Sequence, residues 1–235
     1  MTYFTSDIHG EYDLFCKLLK AISFSEHDEM YICGDIIDKG KQSIRLAKLI
    51  FSMPNVHVIR GNHEHYFLMY YDSLMKKATD DFDEVLKHLQ DYFPNEDDDL
   101  LDWDTVDKLE SLPSYIEKEQ FICVHAGVPI NQDGTLVPLE SAFIGALLND
   151  RRFKDKDCFH ISPKCVFFGH TTTDCVCGEA KVLAYPRKSF NGREIHISDF
   201  YKIHLDTGTN ANGVLGCFCL ETCKVIYAKK QTKGI

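Results

Sequence analysis

The 235-residue chain lacks any apolar run near the ~20 residues that a membrane-spanning helix needs. It also has too little positive charge for a duplex-binding surface. Its 26 lysines and arginines stand against 36 aspartates and glutamates, a formal net charge of -10, and no basic stripe interrupts that balance. Neither nucleic acid nor membrane is therefore expected as a partner. The opening stretch MTYFTSDIHG has no charged segment followed by an apolar one, so no secretory leader is expected and the cytoplasm is the expected location. The ten cysteines then read as reduced thiols rather than a disulfide framework. Cys175, Cys177, Cys217, Cys219 and Cys223 read as small, half-buried strand residues in preference to a zinc site. No internal repeat or low-complexity linker divides the chain, which points to a single domain over residues 1–235.

What is present is a series of strand-length apolar runs: TYFTS, EMYIC, VHVIR, QFICVH, KCVFFGH, YKIHLD, GVLGCFCL and KVIYAKK. Between the early runs lie helical stripes, Leu14, Leu18, Leu19 and Ile22 over residues 11–22, then Ile44, Ala47, Leu49 and Ile50 over 42–51. A strand–helix–strand–helix–strand opening predicts parallel strands with helical crossovers, and the strand-rich last third predicts an added antiparallel region. The fold class is α/β (α+β). Residues 66–112 break the rhythm with an acidic, helix-like stretch that predicts a helical cap insert. Its NEDDDLLDWD cluster reads as a helix start whose carboxylates suit the dipole, rather than as a metal site.

The chemistry-bearing residues sit just past strand ends, the edge where open α/β sheets bind ligands. TYFTS runs into Asp7-Ile8-His9-Gly10, EMYIC into Gly34-Asp35-Ile36-Ile37-Asp38, VHVIR into Gly61-Asn62-His63-Glu64, FICV into His125-Ala126-Gly127 and CVFF into Gly169-His170-Thr171. Five strands with the same grammar are hard to obtain by chance. The glycines let the backbone turn and pass close to a bound group. Mixed imidazole and carboxylate donors suit a borderline transition metal better than calcium or magnesium. Asp7, His9 and Asp35 could hold one ion. Asn62, His125 and His170 could hold a second, with Asp35 bridging.

The ordered set DIHG, GDIIDKG, GNHE, HAG and GHT resembles the PPP-type serine/threonine protein phosphatases, small bacterial and phage branch, within the calcineurin-like metallophosphoesterases. LDTG at 205–208 is similar to a further segment of that family. The resemblance implies a four-layer β-sandwich flanked by helices, with a two-metal site at its edge. Thr172, where broader metallophosphoesterases carry a second histidine, fits the PPP branch. Asp38 and His63 match the family's Asp–His pair, whose imidazole faces the scissile bond. Arg60 and Arg151 match phosphate-binding arginines, with Asn149 standing where a tryptophan is usual. Lys39 stands where the family has arginine, keeping the charge without the planar fork.

The function expected on this basis is hydrolysis of phosphoserine and phosphothreonine, and by extension phosphotyrosine, in a phosphoprotein or phosphopeptide. The attacking group would be a hydroxide shared by two divalent ions, manganese first with iron or zinc as alternatives. His63 would protonate the leaving oxygen and Asp38 would orient it. A symmetrical dinucleoside tetraphosphate hydrolase is the alternative, and a non-catalytic binding protein on the same scaffold is the third reading. Glu64 is expected behind the ligands and His204 packed beside the site. His65, His88, His160 and His196 are expected at the surface, and Tyr66, Phe67, Tyr70 and Tyr71 in a helix-packing stripe.

Overall fold

The computed structural model describes residues 1–77, 81–93, 99–190 and 192–230. The first sheet holds β1 (Thr2–Thr5), β2 (Glu29–Ile32) and β3 (Val56–Val58) in parallel, joined by α1 (Tyr12–Ala21) and α2 (Ser43–Phe51). The antiparallel pair β9 (Val214–Cys219) and β10 (Val225–Lys229) extends it beyond β1, giving the order β10-β9-β1-β2-β3. The second sheet has β4 (Tyr115–Glu117), β5 (Phe121–Val124), β6 (Cys165–Phe168), β7 (Leu183–Pro186) and β8 (Phe200–His204), in the order β4-β5-β6-β8-β7. Its three central strands are parallel and both edge strands antiparallel. The short, unremarked runs of β4 and β7 are the strands that the sequence pattern does not single out.

The two sheets pack face to face. Phe4, Tyr31 and Phe218 are lateral neighbours in register and point to the inter-sheet core, where Phe4 stacks on Phe167. Alternate residues Tyr3, Met30, Ile32, Cys217 and Cys219 face the helices instead. Both faces are buried, which is why these strands read as continuous apolar runs. Leu14, Phe15 and Leu18 of α1 and Ile44, Ala47 and Ile50 of α2 cover the outer face of the first sheet. Helix α6 (Ile144–Asn149) and neighbouring loops cover that of the second.

The helical stretch begins earlier than the sequence suggests. Helix α3 runs Asn62–Met75, so motif and insert share one helix; α4 (Phe82–Gln90) and α5 (Trp103–Ser111) follow. Phe67, Leu68, Val85, Leu89, Val106 and Leu109 join the same core as α1 and α2. Asp81 and Asp102 cap α4 and α5, accepting the backbone N–H of Glu84 and Thr105. Residues 95–98 of the acidic cluster lie outside the described residues.

Two expectations are corrected. Cys175 and Cys177 lie on a helical turn, α7 (Asp174–Cys177), because Thr173 and Asp174 take helical geometry where a strand was read; all ten cysteines are free thiols. His160 is buried, not superficial, with Nε2 2.8 Å from the Tyr201 carbonyl. Burial lowers its pKa to about 4. In the unfolded chain it titrates near its ordinary value of 6.5, so only the unfolded state gains the proton between those limits. Stability should therefore fall as pH drops from about 6.5 to about 4, by up to about 3 kcal/mol from this group. Denaturant unfolding at several pH values should show a shallower loss in His160→Gln, and equal slopes would refute the assignment. Among the described residues no helix is long and apolar enough to cross a membrane.

Candidate active site

The tips of β1 and β2 continue side by side beyond the sheet. Asp7 N–H donates to the Gly34 carbonyl at 3.1 Å and His9 N–H to that of Asp35 at 2.9 Å. Asp7, His9, Asp35, Asp38, Lys39 and His170 all adopt positive φ, between 50° and 71°. For residues with a Cβ this is a costly conformation, of order 1–3 kcal/mol each, that persists where surrounding structure enforces it. Glu64 supplies much of that enforcement. Fully buried in the first turn of α3, its carboxylate accepts the backbone N–H of Asp35, Ile36, Ile37 and Gly61 at 2.8–3.1 Å. A Cβ on Gly61 would overlap the Asp35 carboxylate and one on Gly169 the Asp7 carboxylate, so both positions need glycine for close approach.

The six residues read as metal ligands come together. Asn62 Oδ1 lies 2.8 Å from His125 Nε2 and 2.9 Å from His170 Nδ1, and the two imidazole nitrogens are 3.2 Å apart. Asp35 Oδ2 is 3.4 Å from His125 Nε2 and 3.6 Å from His9 Nε2, and Asp7 Oδ1 is 3.9 Å from His9 Nε2. Donors bound ~2.1 Å from one ion lie roughly 3 Å from each other, so this spacing suits divalent metal. His125 Nδ1 faces the Cys33 carbonyl at 2.8 Å and His9 Nδ1 faces that of Ile37 at 3.1 Å. Each Nδ1–H donates outward, leaving the Nε2 lone pair aimed inward. Converging acceptors call for a cation. Two candidate ligand groups result, Asp7–Asp35–His125 and His9–Asp35–His63.

The electrostatics point the same way. Burial, then the neighbouring Asp206, raises the Asp7 carboxyl well above its usual range; burial, then Asp7 and Glu64, does the same to Asp35. Burial and then Lys39 lower His9 to about 3, while burial and then Arg151 lower His170 to about 4. His125 is driven well down by burial and His170. Clustered carboxylates that resist ionising beside imidazoles that resist protonating are the signature of a site completed by positive charge.

His63 stands beside this cluster, its Nδ1 2.7 Å from Asp38 Oδ2 and its Nε2 3.8 Å from Asp35 Oδ2. The hydrogen bond from His63 holds Asp38 below the usual carboxylate range. Lys39 Nζ lies 2.7 Å from His9 Nε2. Arg151 is exposed near His170. Arg60 goes elsewhere: its Nη2 donates to the Glu110 carbonyl at the end of α5, tying a strand tip to the insert. His204 packs on Phe168 with Nε2 against the Thr171 carbonyl. Of the aromatic stripe, Phe67 is buried and Tyr70 and Tyr71 half-buried, but Tyr66 is exposed and donates its hydroxyl to Asn149 Oδ1 at 3.0 Å.

Two further residues stand near the site: Asp206, whose LDTG segment the motifs include without giving it a role, and Tyr92, which no motif includes. Asp206 is buried, with burial as the main cause raising it to about 6, and it follows β8 in the same strand-end grammar as the other five. Tyr92 reaches back from the insert toward the Asp38 side; burial and then Asp38, Glu64 and Asp35 raise it to about 12. No sequence signal marks Tyr92, since its approach depends on how α4 folds back.

Two facing sheets with ligand-type residues at one edge define a metallophosphoesterase. The family model described as calcineurin-like phosphoesterase matches residues 2–193, and the chain belongs to that family. Among individual proteins, it is 29% identical over 129 residues to a symmetrical bis(5'-nucleosyl)-tetraphosphatase of Vibrio parahaemolyticus, covering 54% of this chain and 44% of that one. It is 37% identical over 87 residues to the protein of the same description from Wigglesworthia glossinidia brevipalpis, 36% of this chain and 32% of that one. The chain thus aligns with less than half the length of these relatives. A solved structure described as a candidate diadenosine tetraphosphatase superposes with a TM-score of 0.69 at 18% identity, covering 99% and 94% of the two chains. A serine/threonine phosphatase from Saccharomyces cerevisiae gives 0.55 at 14% identity, covering 99% of this chain and 81% of that one. At such identities these likenesses speak to fold.

Proposed function

We propose that the chain is a two-metal phosphohydrolase whose substrate is a symmetrical dinucleoside tetraphosphate. The observation that carries the hydrolase reading is the convergence of Asp35, Asn62, His125 and His170 donors at 2.8–3.4 Å beside the His63–Asp38 pair. The tetraphosphatase descriptions of the curated relatives favour this substrate over a phosphoprotein, the first expectation from the motifs.

Asp7, His9 and Asp35 would hold one ion and Asn62, His125 and His170 the other, with Asp35 shared. Bound there, two divalent ions supply an activated water and neutralise the charge that builds on the phosphoryl group. The protein's part is orientation. Asp38 accepts from His63 Nδ1–H, which fixes the ring with Nε2 turned toward the cluster. From Nε2 a proton would pass to the oxygen leaving the attacked phosphorus. Lys39 and Arg151 add positive charge around the phosphate.

Protein stripped with chelator should regain hydrolysis of diadenosine tetraphosphate when manganese is added. It should release ADP and prefer that substrate to phosphoserine and phosphothreonine peptides assayed in parallel. Faster turnover of the peptides would restore the phosphoprotein reading, and activity in chelator would overturn the two-metal one.

A further inference from the structure

Next to the metal-ligand cluster, on the His9 side, lies an open cavity of about 400 Å³ lined by Lys39, Lys41, Lys230 and Asn210 together with Glu11 and Asp13. We propose that this cavity is a subsite for the phosphates beyond the one being hydrolysed, and that it selects polyphosphate over monoester substrates. The inference rests on the substrate class proposed above.

Gly10, which follows ligand His9, forms part of the cavity wall. Lys39 belongs to both places, since it lines the cavity while its Nζ sits 2.7 Å from His9 Nε2. A phosphoryl group held by the ligand cluster therefore has the cavity as its neighbour. Each further phosphate of a chain lies only one bridging oxygen away, so the chain can enter without moving the reacting group. The volume falls within the range of small-ligand sites.

In a chain carrying ten more acidic than basic residues, three lysines around one concavity run against the background. Lys41 makes no ion pair among the described residues, and Lys39 faces an imidazole. Lys230 is held by Glu11 at 2.7 Å, and the same carboxylate oxygen accepts Asn210 Nδ2 at 2.9 Å. Glu11 thus keeps one ammonium poised at the rim, where an incoming phosphate can take it over. A lysine at position 39 suits this role. An ammonium on a flexible stem can follow a polyphosphate chain, where a guanidinium fork would favour one fixed phosphate.

The test spares Lys39, which touches His9, and changes Lys41→Gln and Lys230→Gln together. On manganese-loaded protein, KM for diadenosine tetraphosphate should rise about tenfold through loss of charge-assisted contacts. KM for p-nitrophenyl phosphate, which has nothing to place in the cavity, should stay within about twofold. Calorimetry should show tripolyphosphate, but not orthophosphate, binding the variant about tenfold more weakly. Equal changes for both substrates, or none, would overturn the subsite. If wild type turns over diadenosine tetraphosphate and the variant keeps its KM, the subsite falls and the substrate reading stands. If wild type ignores that dinucleotide yet binds tripolyphosphate in a lysine-dependent way, the substrate reading falls and the subsite stands.

Discussion

Replacing His63 by asparagine should lower kcat on diadenosine tetraphosphate by roughly 10²–10⁴-fold, the usual worth of a positioned general acid, while bound metal stays unchanged. The side chain has a partner of its own outside the ligand set, which lets this separation be measured. Its Nδ1 is committed to Asp38 at 2.7 Å, and its backbone N–H donates to Asp35 Oδ1 at 3.0 Å, a contact that asparagine keeps. Because a departing phosphate needs protonation less than a departing alkoxide, the loss should be smaller on the tetraphosphate than on a phosphoserine peptide. Metal content after gel filtration decides the competing role, because His63 Nε2 is also within ligand range of Asp35. A variant that loses metal in proportion to activity would make His63 a ligand instead of an acid.

Glu64→Ala should be the most damaging substitution for stability, lowering it by about 4 kcal/mol or more. The change removes the acceptor for four backbone N–H groups in a water-free place, at a cost of ~1–3 kcal/mol for each group left unpaired. For a chain of this length that corresponds to a fall in Tm of roughly 10 °C. Glu64→Gln should be intermediate, since its amide offers one acceptor oxygen in place of two. Thermal melts of metal-free protein report the effect directly, and manganese titration should show weaker binding in both variants. A melt within a degree or two of wild type would show that water or local rearrangement satisfies these groups.

Much of this arrangement was legible in the sequence, for a physical reason. Strands buried on both faces leave continuous apolar runs, and five of the eight runs ended where a ligand-type residue began, so these eight strands and the order of Asp7, His9, Asp35, Asn62, His125 and His170 could be read together. The strands β4 and β7 were missed because most of their residues are exposed or half-buried and so carry little apolar signal. The boundary at residue 66 was misplaced since the apolar stripe of α3 begins after Asn62 and His63, whose polar character hid the helix start. Side-chain direction was not legible at all. Arg60 belongs to a matching motif but bonds to Glu110, and Tyr92 belongs to no motif but approaches Asp38. The positive φ of six site residues is equally invisible, because aspartate, histidine and lysine carry no mark of it.

The two sheets divide the candidate ligands between them. Asp7, His9, Asp35 and Asn62 follow strands of the first, while His125 and His170 follow strands of the second. Ions held by both sets would act as rivets across the seam of the sandwich as well as reagents. Starving the protein of metal would then loosen its architecture along that seam, and the supply of free cation would govern how long the folded chain survives as much as how fast it works.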